Sequence, residues 1–259
     1  MPHPEDPKSN RLLAALSDAD WQRWRLRLER VDLKLGQILY EPSSPPVYAS
    51  FPTSAIVSLQ YVMGSGASSE IAVVGNEGIV GTSLFLGGGA TTSHCSVLIA
   101  GQGFRIGAQT IRDEFDRSDS VRLLLLRYTQ ALLTQIAQTA VCNRRHTVDQ
   151  QVCGWLLHSL DRLRDSEVVV TQELMARALG VRREGVTKVA GQLQAAGLIR
   201  CTRGHLSVLD RAGLERRSCE CHAVVKKEYD RLLPREPAAC DDTAPVHLTP
   251  RHEVAAACE

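Results

Sequence analysis

Apolar residues return at helical spacing along much of the second half of the chain. Over residues 118–144, Val121, Leu124, Leu125, Tyr128, Leu132, Ile136 and Ala140 make a three-four stripe, which predicts one long helix. Leu123, Leu126, Leu133 and Thr139 supply a second apolar edge. A helix apolar on two sides must bury both. One edge can pack on its own domain and the other on the same helix of a partner, in a coiled-coil-like seam. The dimer contact is assigned to Leu125, Tyr128, Leu132 and Ile136. Shorter helical patterns cover residues 12–28, with Leu12, Leu13, Leu16, Trp24 and Leu28, and residues 211–233. Val152, Trp155, Leu156, Leu160 and Leu163 mark a core segment over residues 148–163. Residues 31–106 read differently: short apolar runs separated by glycines, with 55–63 and 70–74 pairing around Gly64 and Gly66. Short strands at regular spacing predict a jelly-roll-like β-fold.

Residues 171–199 predict two short helices joined by a tight turn. Leu174, Met175, Ala178 and Leu179 line the first, and Thr171 can cap it through its hydroxyl. Gly180 stands where the chain must turn left-handed to stop that helix. The second helix starts near Arg182 and buries Val186, Val189, Ala190 and Leu193. Arg182, Arg183, Glu184, Thr187 and Lys188 are left outside. Between Thr171 and His205, six basic residues face two acids, while the whole chain carries a net charge of only +1. Positive charge is thus concentrated where a helix N-terminus can enter a major groove. Gly197 ends the helix. Two short strands then flank a turn carrying Arg203 and His205, as a wing whose tip can reach phosphates.

These residues resemble the Crp/Fnr transcription regulators. The resemblance rests on Thr171-Gln172-Glu173-Leu174, Leu179-Gly180-Val181, Arg183-Glu184, Gly197-Leu198-Ile199, Arg203-Gly204, Leu209-Asp210-Arg211 and Gly213-Leu214. It implies an α+β chain: an N-terminal jelly-roll-like β-barrel of the cyclic-nucleotide-binding type, a long dimerisation helix and a C-terminal winged helix-turn-helix. The expected divisions are a loose tail at 1–11, a sensory domain at 12–117, dimerisation helix and hinge at 118–146, a DNA-binding domain at 147–213, a terminal helix at 214–233 and a disordered tail at 234–259. By resemblance, Arg183 and Glu184 read bases and Lys188 reads a base or clamps phosphate. Thr171, Gln172, Arg182, Thr187, Arg203 and His205 complete the expected DNA-binding set. Arg can grip guanine, Glu can accept from cytosine, and Lys can hold phosphate or guanine. The chain departs from the family where Lys replaces the frequent Arg at 188, and where Arg182 replaces a capping Ser or Thr.

The expected effector pocket comprises Gly81, Thr82, Ser83, Thr91, Thr92 and Ser93. The family's nucleotide-binding members place a Glu against ribose and an Arg against the cyclic phosphate. Here those positions hold Thr82 or Ser83 and Thr92 or Ser93. A phosphate would then depend on backbone N–H groups, such as a nest at Gly87–Gly89. Cyclic AMP is therefore not the expected effector, and the effector remains unassigned.

Composition adds limits. A 44% hydrophobic content over 259 residues supports two small cores. No run reaches the roughly 20 apolar residues of a membrane span, so a cytoplasmic location without membrane contact is expected. Eight cysteines do not make a disulfide scaffold in a chain this long. Cys219 and His222 share a helix face, and Cys142, His146 and Cys153 form a looser set near the hinge. Neither set has Cys-x-x-Cys spacing, and the N-terminal cysteine cluster of the family's iron–sulfur members has no counterpart before Cys95. No metal and no cofactor is assigned. No phosphate loop, nucleophile elbow or acid/base set suggests an enzyme. The expected partners are double-stranded DNA, a second copy of the chain and, as a further candidate, RNA polymerase. The alternative is a ligand- or redox-responsive sensor acting mainly through protein contacts.

Overall fold

The computed structural model of the chain describes residues 6–64, 66, 68–163, 167–202 and 205–233. The tail expected over 234–259 and the wing residue Arg203 lie outside the described residues.

The described part of the expected loose tail is folded. Asp6 caps a 3-10 turn at Pro7–Ser9. Asn10 is fully buried. Its amide donates to the carbonyls of Pro52 (2.9 Å) and Gly78 (2.8 Å), and its oxygen caps α1 (Arg11–Ala14). The helix expected over 12–28 is broken. The Ser17 hydroxyl accepts from the Asp20 amide and starts a second helix, α2 (Asp18–Trp24).

Seven strands follow: β1 (Glu29–Leu33), β2 (Ile38–Tyr40), β3 (Tyr48–Pro52), β4 (Ile56–Val62), β5 (Ser68–Val74), β6 (His94–Ile99) and β7 (Gly101–Gly107). They form two antiparallel sheets, β1-β7-β3 and β2-β6-β4-β5, rather than a closed barrel. β4 and β5 pair as the sequence suggests, whereas β6 and β7 part into different sheets. Leu33, Phe51, Phe104 and Ile106 from one sheet meet Val57, Leu59, Val74 and Val97 from the other in one core. The four-stranded sheet is apolar on both faces. Ile56, Val73, Leu98 and Ile99 point away from that core into a second one.

α3 (Ala108–Arg117) leads to the long α4 (Asp119–Arg145), which Ser118 caps. Then come α5 (Val148–Arg162), β8 (Glu167–Val169), α6 (Gln172–Leu179), α7 (Arg183–Ala195), β9 (Ile199–Thr202), β10 (His205–Val208), α8 (Arg211–Arg217) and α9 (Glu220–Leu232). The helix expected over 211–233 breaks at Ser218 and Cys219, whose backbones are extended. The wing sheet runs β8-β10-β9. The second core joins α5, α6, α7 and the wing to the outer face of the four-stranded sheet. The C-terminal helical unit is therefore docked on the β-domain.

The edge of α4 assigned to a dimer needs correction. Leu125, Tyr128 and Leu132 are buried within their own chain, and Ile136 packs against the same core. The open edge is the other one: Leu126 is 43% exposed and Leu133 61%. Both edges are apolar at helical spacing, so periodicity alone could not tell which the β-domain takes.

Candidate DNA-binding face and effector cavity

The helix-turn-helix is built by short-range chemistry. Thr171 Oγ1 accepts from the Leu174 amide at 3.1 Å and starts α6. Gly180 ends it at φ +64°, a conformation that other residues adopt at a cost. The Val181 amide donates back to the Ala176 carbonyl, closing the turn. α7 then starts at Arg182 without a side-chain cap, as its sequence implies. Val186, Ala190 and Leu193 anchor it in the second core. This fixes which way the opposite side faces.

On that side Arg182, Arg183, Glu184, Thr187 and Lys188 are all exposed. Thr171 is exposed and Gln172 half-buried. Gln172 Oε1 accepts from the Thr187 hydroxyl at 2.7 Å, linking the two helices at their outer surface. Arg183 Nε stands 3.8 Å from Glu173 Oε2, an exposed pair that holds it only lightly. His205 is exposed at the start of β10. Thr171, Gln172, Arg183 and His205 border one groove, and Arg182, Glu184, Thr187 and Lys188 are exposed at the start of α7 beside it.

Five of the six expected effector residues line an open cavity of about 640 Å³. Thr82, Ser83, Thr91, Thr92 and Ser93 border it. Gly81 does not, but its left-handed backbone (φ +102°) starts the 3-10 turn Thr82–Leu84. Tyr61 hydroxyl and Thr92 Oγ1 are 2.8 Å apart, and Thr91 Oγ1 and Ser93 Oγ are 2.9 Å apart. Ser83 Oγ is buried without a hydrogen-bond partner. The sequence reading missed Tyr40, Ser43 and Tyr61, which reach the cavity from distant strands and loops. Leu132 and Ile136 of α4 close its far wall. Among the described residues that line it, none is charged.

Two buried polar links join the domains. Trp155 Nε1 donates to Glu70 Oε1 at 3.0 Å, and Ser58 Oγ donates to Glu70 Oε2 at 2.5 Å. Burial raises the Glu70 carboxyl to about 7, with these two hydrogen bonds opposing. Arg162 Nε donates to Glu77 Oε1 at 2.7 Å, and Arg162 Nη2 to Gln135 Oε1 at 3.0 Å. Tyr229 hydroxyl donates to the same Gln135 oxygen.

The sequence of residues 150–217 matches the Crp-like helix-turn-helix domain. Solved structures agree in fold. FixK2 from Bradyrhizobium japonicum superposes with a TM-score of 0.65 at 15% identity, over 74% of this chain and 98% of that one. The chain has the fold of the Crp/Fnr transcription regulators. A CRP-family regulator from Thermus thermophilus gives 0.59 at 18% identity, over 73% and 96%. The c-di-GMP-responsive regulator CLP of Xanthomonas campestris gives 0.57 at 17%, over 75% and 100%. No curated protein sequence matches the chain significantly. Against this Crp/Fnr-type frame, Arg183, Glu184 and Lys188 occupy the outward face of α7, the second helix of the helix-turn-helix within the matched domain.

Proposed function

We propose that this chain is a non-catalytic, sequence-specific DNA-binding transcription regulator of the cytoplasm. One observation carries the reading. α7 buries Val186, Ala190 and Leu193 and leaves Arg183, Glu184, Thr187 and Lys188 bare, within a domain of Crp-like sequence. Arg183 and Glu184 read base edges, while Lys188, Thr171 and His205 hold phosphates. Arg203 acts with His205 from the wing.

The chain works as a homodimer through the open edge of α4, where Leu126 and Leu133 stand two turns apart. Two-fold symmetry then sets half-sites about 34 Å apart, one turn of duplex. The cavity beside Thr82 and Thr92 takes a neutral effector, and RNA polymerase is a downstream partner. Among the described residues no helix is long and apolar enough to cross a membrane.

Site selection from fragmented genomic DNA with the purified protein tests the function. One palindromic site should be preferred over competitor DNA by about a thousandfold or more. Equal retention of all fragments would sink the proposal.

A further inference from the structure

Four metal-binding side chains that lie in separate stretches of the sequence converge beside the hinge. Cys142 lies in the last turn of α4, and His146 caps that end. Cys219 caps the start of α9, and Cys221 lies in its first turn. The Sγ atoms of Cys142 and Cys219 are 3.6 Å apart, and Cys221 Sγ is 3.6 Å from His146 Nδ1. One donor atom from each of the four residues lies within 4.8 Å of all the others. This corrects both sets read from the sequence. His222 turns instead to Asp161, at 2.8 Å, and Cys153 stands outside the group.

Zinc binds sulfur at about 2.3 Å and nitrogen at about 2.0 Å, so a tetrahedral site has donor–donor edges of roughly 3.5–3.8 Å. Both close separations fall in that range. The outer contacts fit as well. His146 Nε2 is 3.5 Å from Glu220 Oε1. A carboxylate behind the far nitrogen of a ligating imidazole fixes the ring and its tautomer. The nitrogen toward the sulfurs is then Nδ1. Gln151 Nε2 donates to the His146 carbonyl at 2.9 Å and the Cys142 carbonyl at 3.4 Å, which holds the hinge backbone in place. Cys219 makes no side-chain cap bond, so its thiol is not committed to its helix.

Buried thiols packed together are costly to ionise. A dication reverses that balance. The start of α9 also favours negative sulfur through its free amides.

We propose that Cys142, His146, Cys219 and Cys221 form a Cys3His site for one zinc ion, which pins the end of α4 to the start of α9. Ligand softness selects zinc over magnesium or calcium, and the tight convergence suits a single ion rather than a cluster. Residues 77 apart in sequence supply the first pair of sulfurs. The ion would fix the angle between the helix that walls the cavity and the domain that carries α7. The site itself stands apart from the proposed function.

Metal analysis of the full chain, expressed with zinc and purified under reducing conditions, should find one zinc per chain. C142S and C221S should lose it, while C201S, in the wing, should keep it. Serine variants can fail to fold, so the decisive measurement uses the wild-type chain. Metal-free protein titrated with cobalt(II) should show sulfur-to-cobalt charge transfer and tetrahedral d–d bands, saturating at one equivalent. H146C should keep that geometry with a stronger charge-transfer band. An octahedral cobalt spectrum, iron–sulfur absorption, or a Cys142–Cys219 disulfide in place of metal would each overturn the proposal. A chain that binds one zinc yet selects no DNA sequence would uphold this site and sink the function proposed above.

Discussion

Arg183 and Lys188 are both bare on α7, but their chemistry gives them different roles. A guanidinium offers two parallel donors that match guanine O6 and N7, whereas an ammonium is a point charge suited to phosphate. R183A should therefore cost about 1–3 kcal/mol on the preferred site and blur its sequence. K188A should weaken all sequences alike and flatten the salt dependence. Repeating the site selection with R183A checks this, and an unchanged selected sequence would mean that α7 is read in the wrong register. Glu70 carries a second prediction. Its carboxyl rises on folding from an ordinary 4.5 to about 7 because it is buried between Ser58 and Trp155. The folded chain thus holds that proton more tightly. The stability it adds is complete below pH 4.5 and is lost as pH climbs to about 7. E70Q keeps an acceptor for Trp155 and turns an amide donor toward the Ser58 hydroxyl, without the charge. Melting curves should show the wild type losing stability relative to E70Q across that window. Parallel curves would mean that Glu70 is solvated rather than held at the domain junction.

At the level of elements, α4 offers the sharpest contrast, because its two apolar edges should respond oppositely. L126E and L133E strike the open edge and should give folded monomers that no longer bind a two-half-site operator. L132A strikes the core and should cost about 2–5 kcal/mol of stability instead. Light scattering with circular dichroism separates the outcomes; a wild-type monomer that still binds a palindrome tightly would defeat the dimer reading. The same helix marks how far the sequence could be read. α4 was legible because its apolar stripe repeats over many turns, and α6 and α7 because a stripe ends at a defined stop, Gly180 or Gly197; both signals need nothing beyond neighbours in sequence. Which edge of α4 is inward was not, since that depends on where the β-domain lies. β3, β8 and α3 went unseen. β8 is three residues long and exists because β10 pairs with it. Strand patterning also misled, because β4, β5 and β6 are apolar on both faces once the second domain docks. Ser17 and Ser218 were short breaks that a longer periodicity hid. The cysteine cluster was out of reach, since two helix ends meet only after folding.

The two domains share more than a hinge. Arg162 and Glu77 are both nearly buried, and their link crosses from α5 to the turn after β5. R162A would leave a buried carboxylate unpaired and should cost about 3–5 kcal/mol, and R162A with E77A should recover part of that in denaturant titrations. A harmless R162A would show that the domains part easily. That shared junction bears on the effector question. The cavity touches α4 at Leu132 and Ile136, α4 runs on to Cys142 and His146, and α9 returns from there to pack on α4 through Tyr229. A ligand in the cavity would thus bear on the helix that also carries the open apolar edge. Its chemistry is restricted by what surrounds it: Thr82, Thr91, Thr92, Ser93 and two tyrosines are neutral donors and acceptors. A cyclic phosphate entering there would shed water without gaining a cation, a deficit of several kcal/mol. Calorimetric titration with cyclic AMP and cyclic GMP should therefore show no micromolar binding, and neither should shift affinity for the selected DNA site. A micromolar dissociation constant would mean that backbone amides around Gly87–Gly89 suffice to hold the phosphate, and that this cavity is a nucleotide site after all.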